Sequence, residues 1–475
     1  MKKLINKIFK MKRKQKVAVI GMGYVGFPLA CAIARSKKYE VYGIDIDEKK
    51  IEQIKRRISP VEDKQAQKDI KKVKINATTD LSTLKEMKYI IICVPTPIDH
   101  NKNPDLTPVK RATESIAKNL KKGQLIILES TVNPGVCEEV ILPILEETGL
   151  KGGIDFELAH CPERINPGDA NWNVYNIPRN IGGLTLEGTK KIGNFYRTFI
   201  NAPIKVMSSL KTVESTKIIE NTFRDINIAY VNELAKSFDK LGIDVMEVIN
   251  GASNKPFAFM AHYPGCGVGG HCIPVDPYYL IDYAAKNGFN HNLLKVARKI
   301  NNSMPMYTVD KLVKKLNDLD VPLKDAKIGV LGISYKANMG DIRESPSLEM
   351  ISKLKKMGCD VFTYDPYCPE ESNAELDEIL NECVGVIIAT NHKQFTKIKK
   401  WKNIRIIIDG RNCLSKTNIG KKVTFYDGIG RGIKDDLDST GSNNIKDTKK
   451  IDGIIIAKPL TLLNKGMRYI KNEHH

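Results

Sequence analysis

Residues 16–45 leave this chain few folds to choose from. A β-branched run, KVAVI, passes directly into GMGYVG, then into the helical apolar spacing of LACAIARS, then into a second strand, EVYGID, that ends in an acid. Strand, glycine turn, helix and strand make a βαβ unit, which belongs to a parallel sheet covered by helices. The three glycines divide the work: Gly21 permits the tight turn, Gly23 lets a pyrophosphate approach the backbone, and Gly26 brings the helix close to the strand. Unpaired N–H groups at the helix start then face the phosphates. Asp45 lies 19 residues after Gly26. Its carboxylate can accept from both ribose hydroxyls and repels a 2′-phosphate, which selects NAD over NADP.

Apolar runs at 89–94 and 125–129 continue the same sheet, so 15–205 reads as an NAD-binding Rossmann domain. Residues 213–241 contain neither Gly nor Pro and keep a helical period for about seven turns or more. A further helical stretch covers 291–317. The block 206–305 therefore reads as an all-helical central domain, with the glycine-rich loop PGCGVGGHCIPVDP set into it at 264–277. Alternation returns at 327–332, 360–364, 384–389 and 404–408, so 306–432 reads as a second Rossmann-like domain, one whose first strand, KIGVLG, lacks the glycine triplet. Ser345 and Pro346 form an N-cap and N1 pair for a helix that stops at Gly358. The predicted fold is α/β: two doubly wound parallel-sheet domains joined by a helical segment with one long helix. From 433 the chain turns polar, and 433–475 reads as a disordered tail whose apolar patch at 453–463 is too short to span a bilayer.

At 475 residues the chain exceeds one ordinary domain. Its net charge, 75 − 55 = +20, invites a polyanion reading. Eight of those positive charges lie within residues 1–16, which hold no acid, and the rest are Lys on helix-like segments, a solvated pattern. Nucleic acid is therefore disfavoured. No apolar run approaches a membrane span, and Lys7 and Lys10 interrupt what would be a signal-peptide core. The ten cysteines are widely spaced, with no CxxC pair and no zinc-like His spacing. Reduced cytoplasmic thiols and no metal are the expectation.

Cys272 sits in GVGGHCIPVDP, where Gly267, Gly269 and Gly270 would let a ligand approach the backbone. A thiol in a polar glycine-rich loop reads either as a nucleophile or as a small packed hydrophobe. Pairing with His271 is discounted, because neighbours in extended chain point apart. On the long helix, Lys217, Asn221 and Arg224 share one face with Glu214, and the stripe continues as Ile228 and Val231. That suits a helix with one end at a cavity and the other in a core, although a solvated face has the same spacing. Lys336 and Arg343 lie in the loop after KIGVLG, at the carboxyl end of a strand, and together suit a diphosphate. Alone they read as a solvated charged loop.

Seven segments complete the picture, in order: GMGYVGFPLA, VPTPI, ESTVNPG, CPERINPGD, KIIENTFRDINIAYVNELA, GVGGHCIPVDPYYL and SYKANMGDIRESP. Over about 16–432 the chain resembles the nucleotide-sugar 6-dehydrogenases of the UDP-glucose/GDP-mannose dehydrogenase superfamily. CPERINPGD and GGHCIPVDPYYL look like the branch acting on UDP-N-acetylhexosamines, and Pro274-Val275-Asp276 stands where the UDP-glucose branch typically reads PKD. The resemblance implies a four-electron oxidation of a C6 alcohol to a carboxylate, with two NAD+ and one water, for surface polysaccharide biosynthesis. UDP-GlcNAc is the leading substrate, with UDP-ManNAc and UDP-GalNAc as alternatives.

Residue by residue, the resemblance makes Cys272 the nucleophile that passes through a thiohemiacetal and a thioester, its pKa lowered with help from Lys217. Lys217 and Asn221 would hold the developing oxyanion, Asp276 with Thr131 would organise the proton and the hydrolytic water, and Glu163 would be a second acid/base. Arg164, Ile165, Arg224, Tyr335, Lys336 and Arg411 would face the UDP-sugar alongside Lys217 and Asn221. Tyr24, Val25, Asp45, Lys50, Thr96, Thr131 and Arg343 would line the NAD site with Gly21, Gly23 and Gly26. A homodimer is implied, with Ile228, Ala229, Val231, Leu234 and Phe238 of the long helix as its apolar surface. A two-electron β-hydroxyacid dehydrogenase with a catalytic Lys is the rival enzyme class, and it needs neither Cys272 nor a second α/β domain.

Overall fold

The computed structural model describes residues 14–432 apart from 62, 100, 166–170, 416–418 and 420–421. Most of the basic N-terminal segment, the polar tail and the apolar patch at 453–463 lie outside the described residues. Eight strands form the first sheet: β1 (Gln15–Ile20), β2 (Tyr39–Ile44), β3 (Asn76–Thr78), β4 (Tyr89–Ile92), β5 (Leu125–Leu128), β6 (Glu157–His160), β7 (Arg179–Gly183) and β8 (Ile204–Val206). Their order is 3-2-1-4-5-6-7-8, and pairing is parallel except between β6 and β7. Alternation in β1 serves two cores, Val17 and Val19 facing one and Ala18 and Ile20 the other, as a strand covered on both faces requires. With β2 on one side of β1 and β4 on the other, the loop after β1 opens at the topological switch point.

The second sheet contains β9 (Lys327–Leu331), β10 (Asp360–Tyr364), β11 (Gly385–Ile388), β12 (Ile406–Asp409) and β13 (Phe425–Gly428), all parallel in the order 10-9-11-12-13. The helix after β9 starts at Pro346, and Gly358 follows its end with φ +87°. Between the sheets run helices, the longest being Leu210–Leu241. Ser209 caps its start by accepting from Thr212 N–H, and Gly242 ends it at φ +72°. At 32 residues it is about 48 Å long. No described helix is long and apolar enough to cross a membrane.

Two expectations change here. The stretch 291–317 is two helices, Asn292–Asn302 and Met304–Asn317, divided at Ser303. Pro305 has no N–H and sits in the first turn of the second helix, where a proline is tolerated, rather than inside a continuous one. The apolar stripe late in the long helix also serves its own chain. Val231 and Ala235 pack with Val245, Ile249 and Met304, Leu234 and Phe238 lie against that cluster, and Ala229 is buried. The large apolar side chains that this helix exposes are Ile219, Phe223, Tyr230 and Leu241.

Candidate active site

The glycine turn after β1 is fixed by close packing at two of its three glycines. A Cβ on Gly21, whose φ is +94°, would lie 2.5 Å from the Cys93 carbonyl oxygen, and one on Gly26 would lie 1.9 Å from that of Gly21. Gly23 has nothing within 4 Å and is the open position. Asp45 closes the crevice: its Oδ2 accepts from Met22 N–H at 2.7 Å, its Oδ1 from Asp47 N–H at 2.9 Å, and Lys50 Nζ lies 3.7 Å away. A carboxylate has about four lone-pair sites, so Asp45 keeps acceptor capacity. Val25 precedes the helix Gly26–Arg35, and the guanidinium of Arg343, from beyond β9, stands 6.0 Å from the Tyr24 ring. Thr96 hydrogen-bonds Tyr279, whose hydroxyl also donates to Pro97 O at 3.2 Å. Thr131 is half-buried in the loop after β5. An open glycine beside a helix start, with an acid that has spare acceptor sites, fits NAD.

Cys272 leads straight into a helix. Its carbonyl accepts from Val275 N–H at 3.1 Å and Asp276 N–H at 2.8 Å, and the helix Asp276–Lys286 begins there. Asp276 is buried, and its Oδ2 accepts from Asn221 Nδ2 at 2.5 Å. Asn221 Oδ1 accepts from Arg224 Nη2. Lys217, one turn earlier and also buried, acts electrostatically on both Cys272 and Asp276. Glu163 is buried near the thiol, and its carboxylate accepts from Ile165 N–H. Three separate segments thus gather the candidate catalytic side chains. No hydrogen bond joins His271 to Cys272 among the described residues.

Burial raises the Asp276 carboxyl to about 6, against the opposing pull of Asn221, Lys217 and Arg224. Burial likewise pushes the Cys272 thiol up to about 12; Asp276 and Glu163 add to it, and Lys217 and Arg224 oppose it. The expectation of a lowered thiol pKa is therefore overturned for the free protein: desolvation and two carboxylates outweigh two cations. Alkylation of Cys272 by iodoacetamide, followed on its own tryptic peptide, should be slow at pH 7 and still be rising at pH 9. A fast rate that is flat between pH 6 and 9 would reveal a preformed thiolate.

The glycines before Cys272 also have a packing reason. A Cβ on Gly267 (φ +129°) would meet Pro346 at 3.0 Å. One on Gly269 would meet Tyr335 Cβ at 2.5 Å, and one on Gly270 (φ +88°) the Tyr335 ring at 2.8 Å. Gly270 N–H donates to Arg343 O at 2.9 Å. These glycines let the loop pass against the second sheet's domain. Arg411, just after β12, donates from Nε to Ala389 O at 2.8 Å, and its guanidinium fills the space beside Gly265, where a Cβ would lie 2.8 Å from Nη1. Arg164 donates to the Glu220 carboxylate and to Pro178 O, and Ile165 packs on the first domain's core.

Sequence reasoning missed several residues that organise this region. Asn232 accepts from Gly265 N–H at 3.0 Å and donates to Asn301 at 2.9 Å, anchoring the start of the Cys272 loop. Asp365 and His392 form a buried pair under the Tyr335 loop. Asp365 was findable, since DVFTYD ends in an acid as EVYGID does. His392 carried no signal.

The chain matches the UDP-glucose/GDP-mannose dehydrogenase family in three parts: the NAD binding domain over residues 15–200, the central domain over 211–303 and the UDP binding domain over 329–416. It is 35% identical over 427 residues to the UDP-N-acetyl-D-mannosamine dehydrogenase of Pyrococcus horikoshii, covering 88% of this chain and 99% of that protein. Identity is 38% over 398 residues to the UDP-N-acetyl-D-glucosamine 6-dehydrogenase of Pseudomonas aeruginosa, covering 82% and 93%. The solved structure of the UDP-D-ManNAc dehydrogenase from Pyrococcus horikoshii superposes with a TM-score of 0.83 over 88% of this chain and all of that one.

Proposed function

Because the chain belongs to the UDP-glucose/GDP-mannose dehydrogenase family of NAD-dependent oxidoreductases, we propose that it oxidises C6 of a UDP-N-acetylhexosamine to the uronate, with UDP-GlcNAc as the sugar. The observation that carries the reading is the cluster of half-buried Cys272 with buried Asp276, Asn221 and Lys217, in which a thiol, a carboxyl and two oxyanion donors converge from the Cys272 loop and two helices. The relative with the higher identity of the two named above acts, by its name, on UDP-GlcNAc. UDP-ManNAc is the second reading, favoured by the name of the relative that covers more of the chain.

The Gly21–Gly26 turn with Asp45 would hold NAD+, which would accept the hydride in each of the two oxidations. Lys217 and Asn221 donate to the C6 oxygen as negative charge gathers on it, in a site where burial strengthens each contact. Cys272 adds to the aldehyde carbon, and its proton passes to Asp276, whose raised pKa suits a group that takes and returns a proton near neutrality. After the second oxidation Cys272 carries the acyl group as a thioester. Asp276 with Thr131 orients the water that releases it, with Glu163 as a further base. Tyr335, Lys336 and Arg411 hold the nucleotide, so the sugar stays while the cofactor exchanges.

The test is a panel of UDP-GlcNAc, UDP-ManNAc, UDP-GalNAc and UDP-glucose with NAD+, following NADH by absorbance and the sugar by mass. We expect two NADH per UDP-GlcNAc consumed, and little aldehyde captured by an amine reagent. One NADH per sugar with accumulating aldehyde would defeat the four-electron reading, and exclusive turnover of UDP-ManNAc would defeat the choice of epimer.

We also propose a homodimer on the exposed side of the long helix. Ile219, Phe223 and Tyr230 are exposed there, and His262 of the apolar loop that also exposes Phe257 and Met260 lies edge-on to Phe223. Light scattering at micromolar protein should give twice the chain mass, and a monomer mass would overturn it.

A further inference from the structure

The second sheet repeats the acid of the first and uses it differently. β10 lies beside β9 as β2 lies beside β1, so Asp365, just after β10, holds the place that Asp45 holds after β2. Asp45 accepts two backbone hydrogen bonds and keeps capacity. Asp365 is buried and tied into its own domain. Its Oδ2 accepts from Ile333 N–H, Ser334 N–H and Ser334 Oγ, each at 2.8 Å, and from His392 Nε2 at 3.1 Å; its Oδ1 accepts from Tyr367 N–H at 2.8 Å. Four of these donors crowd Oδ2, and at 1% exposure neither oxygen is open to a ribose. Burial alone would raise this carboxyl, yet the bonds from His392, Ser334 and Tyr367 hold it well below the usual carboxylate range.

His392 is buried and works at both ring nitrogens. Nδ1 accepts from Asn338 N–H at 2.9 Å, which leaves Nε2 as the donor toward Asp365. The Tyr367 ring stacks on the imidazole, with centroids 5.0 Å apart. Asn338 has φ +59°, a left-handed backbone, and its Oδ1 accepts from Lys393 N–H at 3.1 Å. The hydroxyl of Thr390 donates to Ser334 O. The segment 333–338 is thereby gripped at its start by Asp365 and at its end by His392. Between these grips lie Tyr335 and Lys336, and Tyr335 is the side chain against which Gly269 and Gly270 pack.

We propose that His392 and Asp365 are a positioning pair that sets the affinity for the uridine nucleotide by fixing the Tyr335–Lys336 loop, with no part in holding NAD. The inference rests on the reading that this loop faces the nucleotide sugar. His392→Asn places an oxygen near Nδ1 and keeps the acceptor for Asn338 while losing the donor to Asp365. His392→Gln reaches toward Asp365 and loses the Asn338 contact. Calorimetric titration of each full-length variant with UDP and, separately, with NAD+ reads the proposal, with Lys336→Ala as the reference for the loop. Each His392 variant should weaken UDP binding roughly tenfold, the effect of one buried polar group left unpaired. The Kd for NAD+ and the kcat with saturating UDP-GlcNAc should stay within about twofold. Thr390→Val, which frees the Ser334 carbonyl, is a milder probe of the same direction should the His392 variants not fold. Lys336→Ala weakening UDP while the His392 and Thr390 variants leave it unchanged would overturn the positioning pair alone. No effect from Lys336→Ala would overturn the loop reading and the pair with it. UDP, NAD+ and kcat failing together would mark His392 as purely structural, and so would also overturn the proposal.

Discussion

Replacing Cys272 by serine is expected to lower kcat for uronate formation by at least about 1,000-fold, in the range seen when a covalent nucleophile is lost, while the Kd for the UDP-sugar stays within about threefold. The change removes one polarisable atom from a half-buried position and leaves Asp276, Asn221 and Lys217 in place. A hydroxyl is a far weaker nucleophile at neutral pH, so the aldehyde is no longer captured and the acyl intermediate does not form. Rapid-quench analysis with UDP-GlcNAc and NAD+, and calorimetry with UDP-GlcNAc alone, separate the two effects. Uronate produced at near the wild-type rate would remove Cys272 from the chemistry, whatever its surroundings.

The second large effect concerns stability. Arg179 on β7 is fully buried, and its Nη1 donates to Glu129 Oε2 at 3.2 Å. Glu129 is equally buried and also accepts from the Tyr196 hydroxyl. Nε and Nη2 of Arg179 have no partner among the described residues, so this guanidinium depends on Glu129. Burial lifts the Glu129 carboxyl, with Arg179 opposing, and Glu129 in turn holds Arg179 charged despite burial. Removing one member leaves the other unpaired in the interior, which costs about 3–5 kcal/mol. Arg179→Met should therefore lower the first unfolding transition in urea by that amount. The first transition is the one to read, because a chain with two separate sheets need not unfold as one unit. Arg179→Met combined with Glu129→Gln should recover much of the loss, since the double change leaves no unpaired charge. A single Arg179→Met within about 1 kcal/mol of the parent would show that the pair contributes nothing.

Much of the candidate site was legible because its parts are close in sequence. Lys217, Asn221 and Arg224 fall on one helical face by spacing alone, and the observed helix presents them together. Cys272 and Asp276 are one turn apart, and the observed turn into the helix joins them. The later apolar positions of the same helix were read as a face for a second copy, yet Val231, Leu234 and Phe238 pack inside their own chain. A helical period reports that a face is covered, not by what. The helical stretch 291–317 is divided at Ser303, and Pro305 was the sign of that break in plain view.

By itself the sequence determined the two parallel sheets, the long helix and the glycine turn after β1. Each of these is written in local geometry: strand alternation, helical period, positive φ at glycine, and an acid at a strand end. Only the tertiary structure decided how those groups behave. Asn221 meets Asp276 across 55 positions, Glu129 meets Arg179 across 50, and Tyr279 reaches Pro97 across 182. Such contacts set which groups lose water, and desolvation fixes the sign of the shifts at Cys272 and Asp276. The same long-range packing makes Gly267, Gly269 and Gly270 the clearance needed for Pro346 and Tyr335. Residue types and spacing therefore settle which chemistry is available, whereas proton affinities and close approach depend on segments that only folding brings together.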